Sequence, residues 1–386
     1  MSLHFSREEF ASRQAAARAR VRERGLDAIL LFAQESHYYL TGFDTTGYVF
    51  FQCAVLTADE RPIVLLTRRP DLEQARLTSV IEDIRIWYDR EGANPALELR
   101  AILAELGLRG GRIGVELRTH GLTADNWERV RKALARFCRL EDASDLIRAL
   151  RLVKSPAELA YVRRAAELAD EALDALLATT RPWAFEGDIA AAMAAPILKG
   201  GGELGCEHAV LGVGSRALLN RHTAGSQTVS AKDQVTAEFS ASYRRYHACL
   251  MRTVAVGEGD PRQERMFEAT RDALAAMTEA VRPGNTFGDV DAAHRRVYDA
   301  AGYAHARLAA CGYSLGATFK PTWMDVPPML YLGNPTPIRP GMVIFLHAIL
   351  ADSTTGLAMS GGYTVTVTEQ GAETLSRRAI TYHICR

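Results

Sequence analysis

The residues best suited to chemistry gather in one stretch, DQVTAEFSASYRRYHACLMRTV (233–254). It reads as two strands joined by a short polar turn. Strand side chains alternate with a period of two. Glu238 and Ser240 therefore share one face of the first strand, and His247, Cys249 and Met251 share one face of the second. Glu238 stands in an apolar-leaning run, VTAEFSA, where a carboxylate is costly unless paired or hydrogen-bonded. It reads either as a structural partner of Arg252 or a nearby histidine, or as a site group. In the second case it is a base of raised pKa or a nucleophile forming an acyl intermediate. Cys249 is a small buried hydrophobe or a thiolate beside His247 or His347. His222 lies in a polar loop, LLNRHTAG, and His347 in an apolar strand, VIFLHAIL. The bland readings are surface decoration for the first and a satisfied core histidine for the second; the alternative for each is a site group. His247 flanks a pocket or faces solvent near the turn. Arg252 braces the sheet or clamps a carboxylate. In TWMD (322–325), Trp323 lines a pocket wall or packs under a loop, and Asp325 is suited to hold a cationic group.

Several elements must position these residues. Ser6 and Glu9 form an S-x-x-E start for a helix reaching about residue 25. Strands are expected at 27–33, 48–56, 61–67, 84–89 and 112–118, with helices at 95–107 and 122–137. Strands alternating with helices make the first ~145 residues an α/β unit. Ser155, Pro156 and Glu158 then supply N-cap, N1 and N3 of a helix. From there long helices (156–178, 186–199, 260–280, 287–301) are separated by hairpin-like strands, an α+β pattern. The expected domains are 1–150 and 151–386. The Gly200–Gly202 run stops a helix; it lacks the spacing of a phosphate loop.

Composition narrows the function. A 386-residue chain favours two domains. Lys+Arg and Asp+Glu are 46 each, so no basic surplus points to nucleic acid or an anionic membrane. MSLHFSREEF has no apolar signal core, and no run nears the roughly 18 apolar residues of a membrane span. The six cysteines form no CxxC pair, which argues against a zinc knuckle or a disulfide framework. A cytoplasmic protein is expected.

The second half resembles the pita-bread fold of the creatinase/aminopeptidase family, through landmarks in order. These are RLVKSPAELAYVRRAAELAD, the hairpin ending in Arg-Thr, CGYSLGA (311–317), RPGMVIFLH (339–347) and GGYTVTVTEQGAETLS (361–376). The front half resembles the N-terminal domain of prolidase and creatinase members. The resemblance implies an α/β N-terminal domain plus an α+β pita-bread C-terminal domain. Peptidase members hold two divalent metals with two Asp, one His and two Glu. The matching positions here are Glu238, Cys249, Tyr313, His347 and Gly362. One carboxylate in five cannot bridge and neutralise two dications, so no metal and no cofactor is expected. A mononuclear zinc site from Glu238, Cys249 and His347 stays open.

The resemblance also implies that Tyr313 and His347 converge on the hairpin's pocket, and that His222 matches the acid/base histidine of metal-free creatinase. Tyr313 then fills space left by a metal or donates to a substrate oxyanion. LTGFDTTGYVFF (40–51) resembles the segment that creatinase-type dimers insert toward a partner's site, making Phe43, Asp44 and Tyr48 substrate contacts in a homodimer. The leading expectation is a metal-independent hydrolase of a C–N bond in a small nitrogen-rich metabolite: a guanidino compound, cyclic amidine or amide. Catalysis falls to His222, Glu238, Tyr313, His347 and Cys249, and substrate binding to His247, Arg252, Trp323, Asp325, Phe43 and Tyr48. The alternatives are an Xaa-Pro dipeptidase or aminopeptidase, and a non-catalytic peptide-binding module like the family's histone-chaperone relatives.

Overall fold

The computed structural model describes residues 3–205 and 209–386; Cys206 lies outside the described residues. The chain divides into two compact units, Met1–Arg151 and Leu152–Arg386. The first runs α1 (Arg7–Glu23), β1 (Ala28–Leu31), α2 (Gln34–Thr41), β2 (Cys53–Thr57), β3 (Val64–Arg68), α3 (Leu72–Thr78), β4 (Asp83–Trp87), α4 (Pro95–Glu105), β5 (Arg112–Val115), α5 (Ala124–Leu134), β6 (Arg139–Asp142) and α6 (Leu146–Arg151). Its six strands form one sheet, ordered β4-β3-β2-β1-β5-β6. Alternate residues feed two cores: Leu30 and Val55 face one, Ile29 and Leu56 the other. Near-continuous apolar strands covered on both faces are the mark of an α/β layer. The strand expected at 48–56 begins only at Cys53. A Cβ at Gly47 would meet Asp71 Oδ1 at 2.2 Å. The chain makes a tight 3-10 turn there, which leaves Val49 and Phe50 exposed.

The second unit runs α7 (Pro156–Thr179), α8 (Glu186–Lys199), β7 (Glu203–Leu204), β8 (Val210–Val213), β9 (Asp233–Tyr243), β10 (Tyr246–Val256), α9 (Pro261–Ala280), α10 (Phe287–Ala300), β11 (Ala310–Ser314), β12 (Met329–Tyr331), β13 (Val343–Asp352), β14 (Leu357–Thr368), β15 (Gly371–Thr374) and β16 (Ile384–Cys385). Ser155 and Glu158 form the full capping box that starts α7. The main path of the sheet is β12-β11-β13-β14-β10-β9-β7. Among the described residues, no helix is long and apolar enough to cross a membrane.

Directly paired residues point to one face of a sheet. Glu238 pairs with Met251, Met251 with Gly362, and Gly362 with His347. Two residues along, Ser240 pairs with Cys249, and Thr364 with Phe345, which pairs with Tyr313. The intervening residues Ala237, Phe239 and Leu250 pack in the core that includes Leu173 of α7 and Met193 of α8. Leu346 and Ala348 pack with Leu274 of α9 and Val290 of α10. Helices therefore cover one face of the sheet, and the Glu238 and Tyr313 rows lie on the other.

Candidate active site

Glu238, Tyr313 and Trp323 form a hydrogen-bonded chain. The Tyr313 hydroxyl donates to Glu238 Oε1 at 2.8 Å and accepts from Trp323 Nε1 at 2.7 Å. All three side chains are buried. Burial raises the Glu238 carboxyl above its usual range, while the Tyr313 bond and the charge of Arg221 pull it back. Burial, then the neighbouring Glu238 charge, pushes the Tyr313 phenol well above its usual range. The phenol thus keeps its proton and remains a donor.

His347 joins this cluster by ring contact, 5.7 Å from Tyr313 and 5.5 Å from Phe345 between centroids. Burial, then the charges of His294 and Arg221, depress its imidazole to about 3, so it is neutral at pH 7. Its Nδ1 is buried without a hydrogen-bond partner among the described residues. Between Glu238 and His347 in the row stands Gly362. A Cβ there would meet Phe345 Cζ and Leu346 O, each at 2.8 Å. The Phe345 ring thus fills the space that a longer side chain at 362 would use.

His222 makes no hydrogen bond, ion pair or ring contact with Glu238, Tyr313 or His347. Its Nε2 lies 3.6 Å from Glu186 Oε1 and 3.4 Å from Arg216. Glu186 is fully buried, and its Oε2 accepts the backbone N–H groups of Gly225, Ser226 and Gln227. The loop carrying Arg221 and His222 is therefore tied down just beyond the histidine. Glu186, Arg221 and Phe345 all shape the site, and none is singled out by sequence reasoning. Arg221 carried a usable signal, its place beside His222 in LLNRHTAG. Glu186 sits in the first turn of α8, where acidic residues are commonplace, and Phe345 reads as core.

A pocket of about 140 Å³ lies between α8 and β9. Met193, Ile197, Leu204 and Phe239 make it largely apolar, and it reaches Ser240 and Trp323 beside the Glu238 chain.

The other expected site residues scatter. His247 is buried, its ring nitrogens within 3.3 Å of the carbonyls of Gly316 and Gly205, and burial lowers its pKa to about 4. Cys249 sits beside Tyr313's row, and Thr364 Oγ1 bonds both its backbone N–H and its carbonyl. Arg252 faces the helix side of the sheet, in register with Ala237 and Gly361. It donates to the carbonyls of Met251 and Gly362 and makes no pair with Glu238. That corrects its expected place in the pocket, because residue 252 is one position out of phase with 251. Asp325 is buried, with Oδ2 2.6 Å from where a Gly316 Cβ would stand and Lys154 Cε close by. Phe43 is fully buried, stacked on His37 within its own unit's core, and Tyr48 is 7% exposed. A side chain filling its own core is not available to insert elsewhere. The exposed apolar residues of that segment are Val49 and Phe50.

The family model for metallopeptidase family M24 matches residues 160–369, and that for the creatinase/prolidase N-terminal domain matches 13–153. The chain belongs to metallopeptidase family M24. Ectoine hydrolase of Halomonas elongata is 26% identical over 97% of both chains. The Xaa-Pro dipeptidase of Pyrococcus furiosus is 26% identical over 60% of this chain and 65% of its own. In fold, the dipeptidase PepE of Mycobacterium ulcerans superposes with a TM-score of 0.84, at 24% identity, over 99% of each chain. The family model and the two sequence relatives support a hydrolase acting on C–N bonds.

The family name implies a metal, and the donor set here does not fit a dinuclear one. The five positions offer one carboxylate, and Phe345 blocks the fifth. The mononuclear alternative fails as well. Among the described residues, the donor atoms of Glu238, Cys249 and His347 do not gather within ligating reach of one another.

Proposed function

We propose that the protein hydrolyses a C–N bond in a small nitrogen-rich metabolite, an amide, cyclic amidine or guanidino compound, without a catalytic metal. The observation that carries this reading is the buried Glu238–Tyr313–Trp323 chain, standing where the metal ligands of a dinuclear site are missing. Glu238 Oε1 is held by Tyr313, and Oε2 has no hydrogen-bond partner among the described residues. Oε2 acts on the electrophilic carbon, as nucleophile or as base on water. Tyr313 fixes the carboxylate, and the positive field of Arg221 stabilises charge developing beside it. His222, oriented by Glu186, delivers a proton to the leaving nitrogen. The apolar pocket beside Ser240 and Trp323 takes the substrate's hydrocarbon part. The likeness to ectoine hydrolase over the whole chain supports this substrate class.

The test screens cyclic amidines, amides, guanidino compounds and Xaa-Pro dipeptides with tag-free protein, with and without added manganese or cobalt. Turnover of a non-peptide substrate that is independent of either metal, and lost in Glu238→Gln, is the expected result. Xaa-Pro cleavage that requires manganese or cobalt returns the dipeptidase reading to first place. Full turnover in Glu238→Gln removes the proposed mechanism. A single turnover in ¹⁸O water labels Glu238 only if it is the nucleophile.

A further inference from the structure

A second cluster shares no residue with the Glu238 chain. Asp291 and His294 stand three residues apart on α10, so their side chains share a helix face. Cys311 comes from β11, in the same core as Phe287 and Val290 of that helix. Asp291 and Cys311 are fully buried and His294 is 1% exposed. The three donor atoms all lie within 4.8 Å of one another.

Hydrogen bonding inside the protein does not account for this arrangement. Asp291 Oδ1 and His294 Nδ1 face each other at 3.7 Å, and neither has a hydrogen-bond partner among the described residues. Two buried polar atoms left this way cost roughly 1–3 kcal/mol each. The spacing is too long for a hydrogen bond but close to that of two ligands on one ion. Metal–ligand distances of about 2.0–2.3 Å in a tetrahedron put donors roughly 3.3–3.6 Å apart. The rest of the carboxylate is already committed: Arg295 donates to Oδ2 and to the carbonyl of Ala309. That bond turns Oδ1 toward His294, as an outer partner orients a ligand.

We propose that Asp291, His294 and Cys311 supply three of the four ligands of one bound zinc ion, at a site distinct from the five family ligand positions. A thiolate with one imidazole and one carboxylate selects zinc over magnesium, calcium or manganese. Without metal the buried Cys311 thiol keeps its proton, because burial and the Asp291 charge push it up. Zinc displaces that proton, the sulfur becomes a thiolate ligand, and no electrons are transferred. Zinc, thiolate and carboxylate then sum to zero charge. The ion ties α10 to the strand that carries Tyr313 two residues further on.

The test uses full-length protein without a histidine tag, incubated with zinc and dialysed into metal-free buffer. About one zinc per chain is expected by elemental analysis, with a rise in melting temperature over chelated protein. Cys311→Ser and His294→Gln lose the zinc, whereas Cys249→Ser keeps it. Cobalt-loaded wild type shows a thiolate-to-cobalt charge-transfer band, a reading that does not depend on the variants folding. Less than about a tenth of an equivalent of zinc, no such band, or a full equivalent retained in folded Cys311→Ser overturns the proposal. Because these readouts are metal content and spectra, their failure is separate from failure of the Glu238 chemistry.

Discussion

At the scale of single residues, the site turns on which proton sits where. Tyr313 donates to Glu238 and so favours its ionised form; burial opposes this. Tyr313→Phe removes the donor, and the Glu238 pKa moves further up. The acid limb of the kcat/KM profile then shifts to higher pH, with turnover down about 100-fold. Measuring that profile on the substrate found by screening checks the assignment; an unmoved limb contradicts it. Trp323→Phe leaves the Tyr313–Glu238 bond in place and shifts the limb less. Alternation along VTAEFSA made Glu238 legible as an inward carboxylate, and the family landmark pointed to Tyr313. The bond between them spans 75 residues of sequence, and no local pattern encodes it. Arg252 shows the converse. Its charge is obvious in the sequence, but one step of phase turns it to the helix side.

At the scale of elements, β9, β10, β14 and β13 do the positioning, because their register sets which side chains stand in line. The polar residues of β9 recur at Thr236, Glu238, Ser240 and Ser242, so the sheet's two faces are readable from one strand. The long helices were readable for similar reasons, with the capping box at Ser155 marking where α7 starts. The late start of β2 was not readable: the 3-10 turn before it packs Gly47 against Asp71, 24 residues away in the sequence. Register also makes a prediction at Gly362. Gly362→Ala places a methyl group against Phe345 and the Leu346 carbonyl, and costs about 1–3 kcal/mol in urea denaturation. Adding Phe345→Leu recovers only part of that, because the Leu346 carbonyl is backbone and cannot move aside. Full recovery would place the whole strain in the ring.

For the whole molecule, stability against pH reports buried groups of the first unit. His37 is buried, accepts from Gln52 at Nδ1 and donates from Nε2 to the Leu31 carbonyl, and burial lowers its pKa to about 4. Below pH 6.5 the unfolded chain takes up a proton that the folded chain refuses until about 4. This histidine therefore destabilises the fold as pH falls, by about 2 kcal/mol at pH 5. Glu116 works in the opposite direction: burial raises it to about 7, so it opposes folding as pH rises from 4.5 toward 7. A difference measurement separates the two. The stability of wild type minus that of His37→Gln should fall by about 2 kcal/mol between pH 7 and pH 5. No change would mean His37 is protonated in the folded protein.

The Phe345 ring beside Gly362 also bears on how the chain can change. A mutation placing glutamate at 362 alone meets an occupied volume, and one trimming Phe345 alone leaves a cavity. Each first step is harmful, and neither gains a metal while Cys249, Tyr313 and His347 stand at the other ligand positions. A dinuclear site therefore lies several simultaneous substitutions away from this sequence. Selection can refine the present pocket one residue at a time far more readily than it can build such a site.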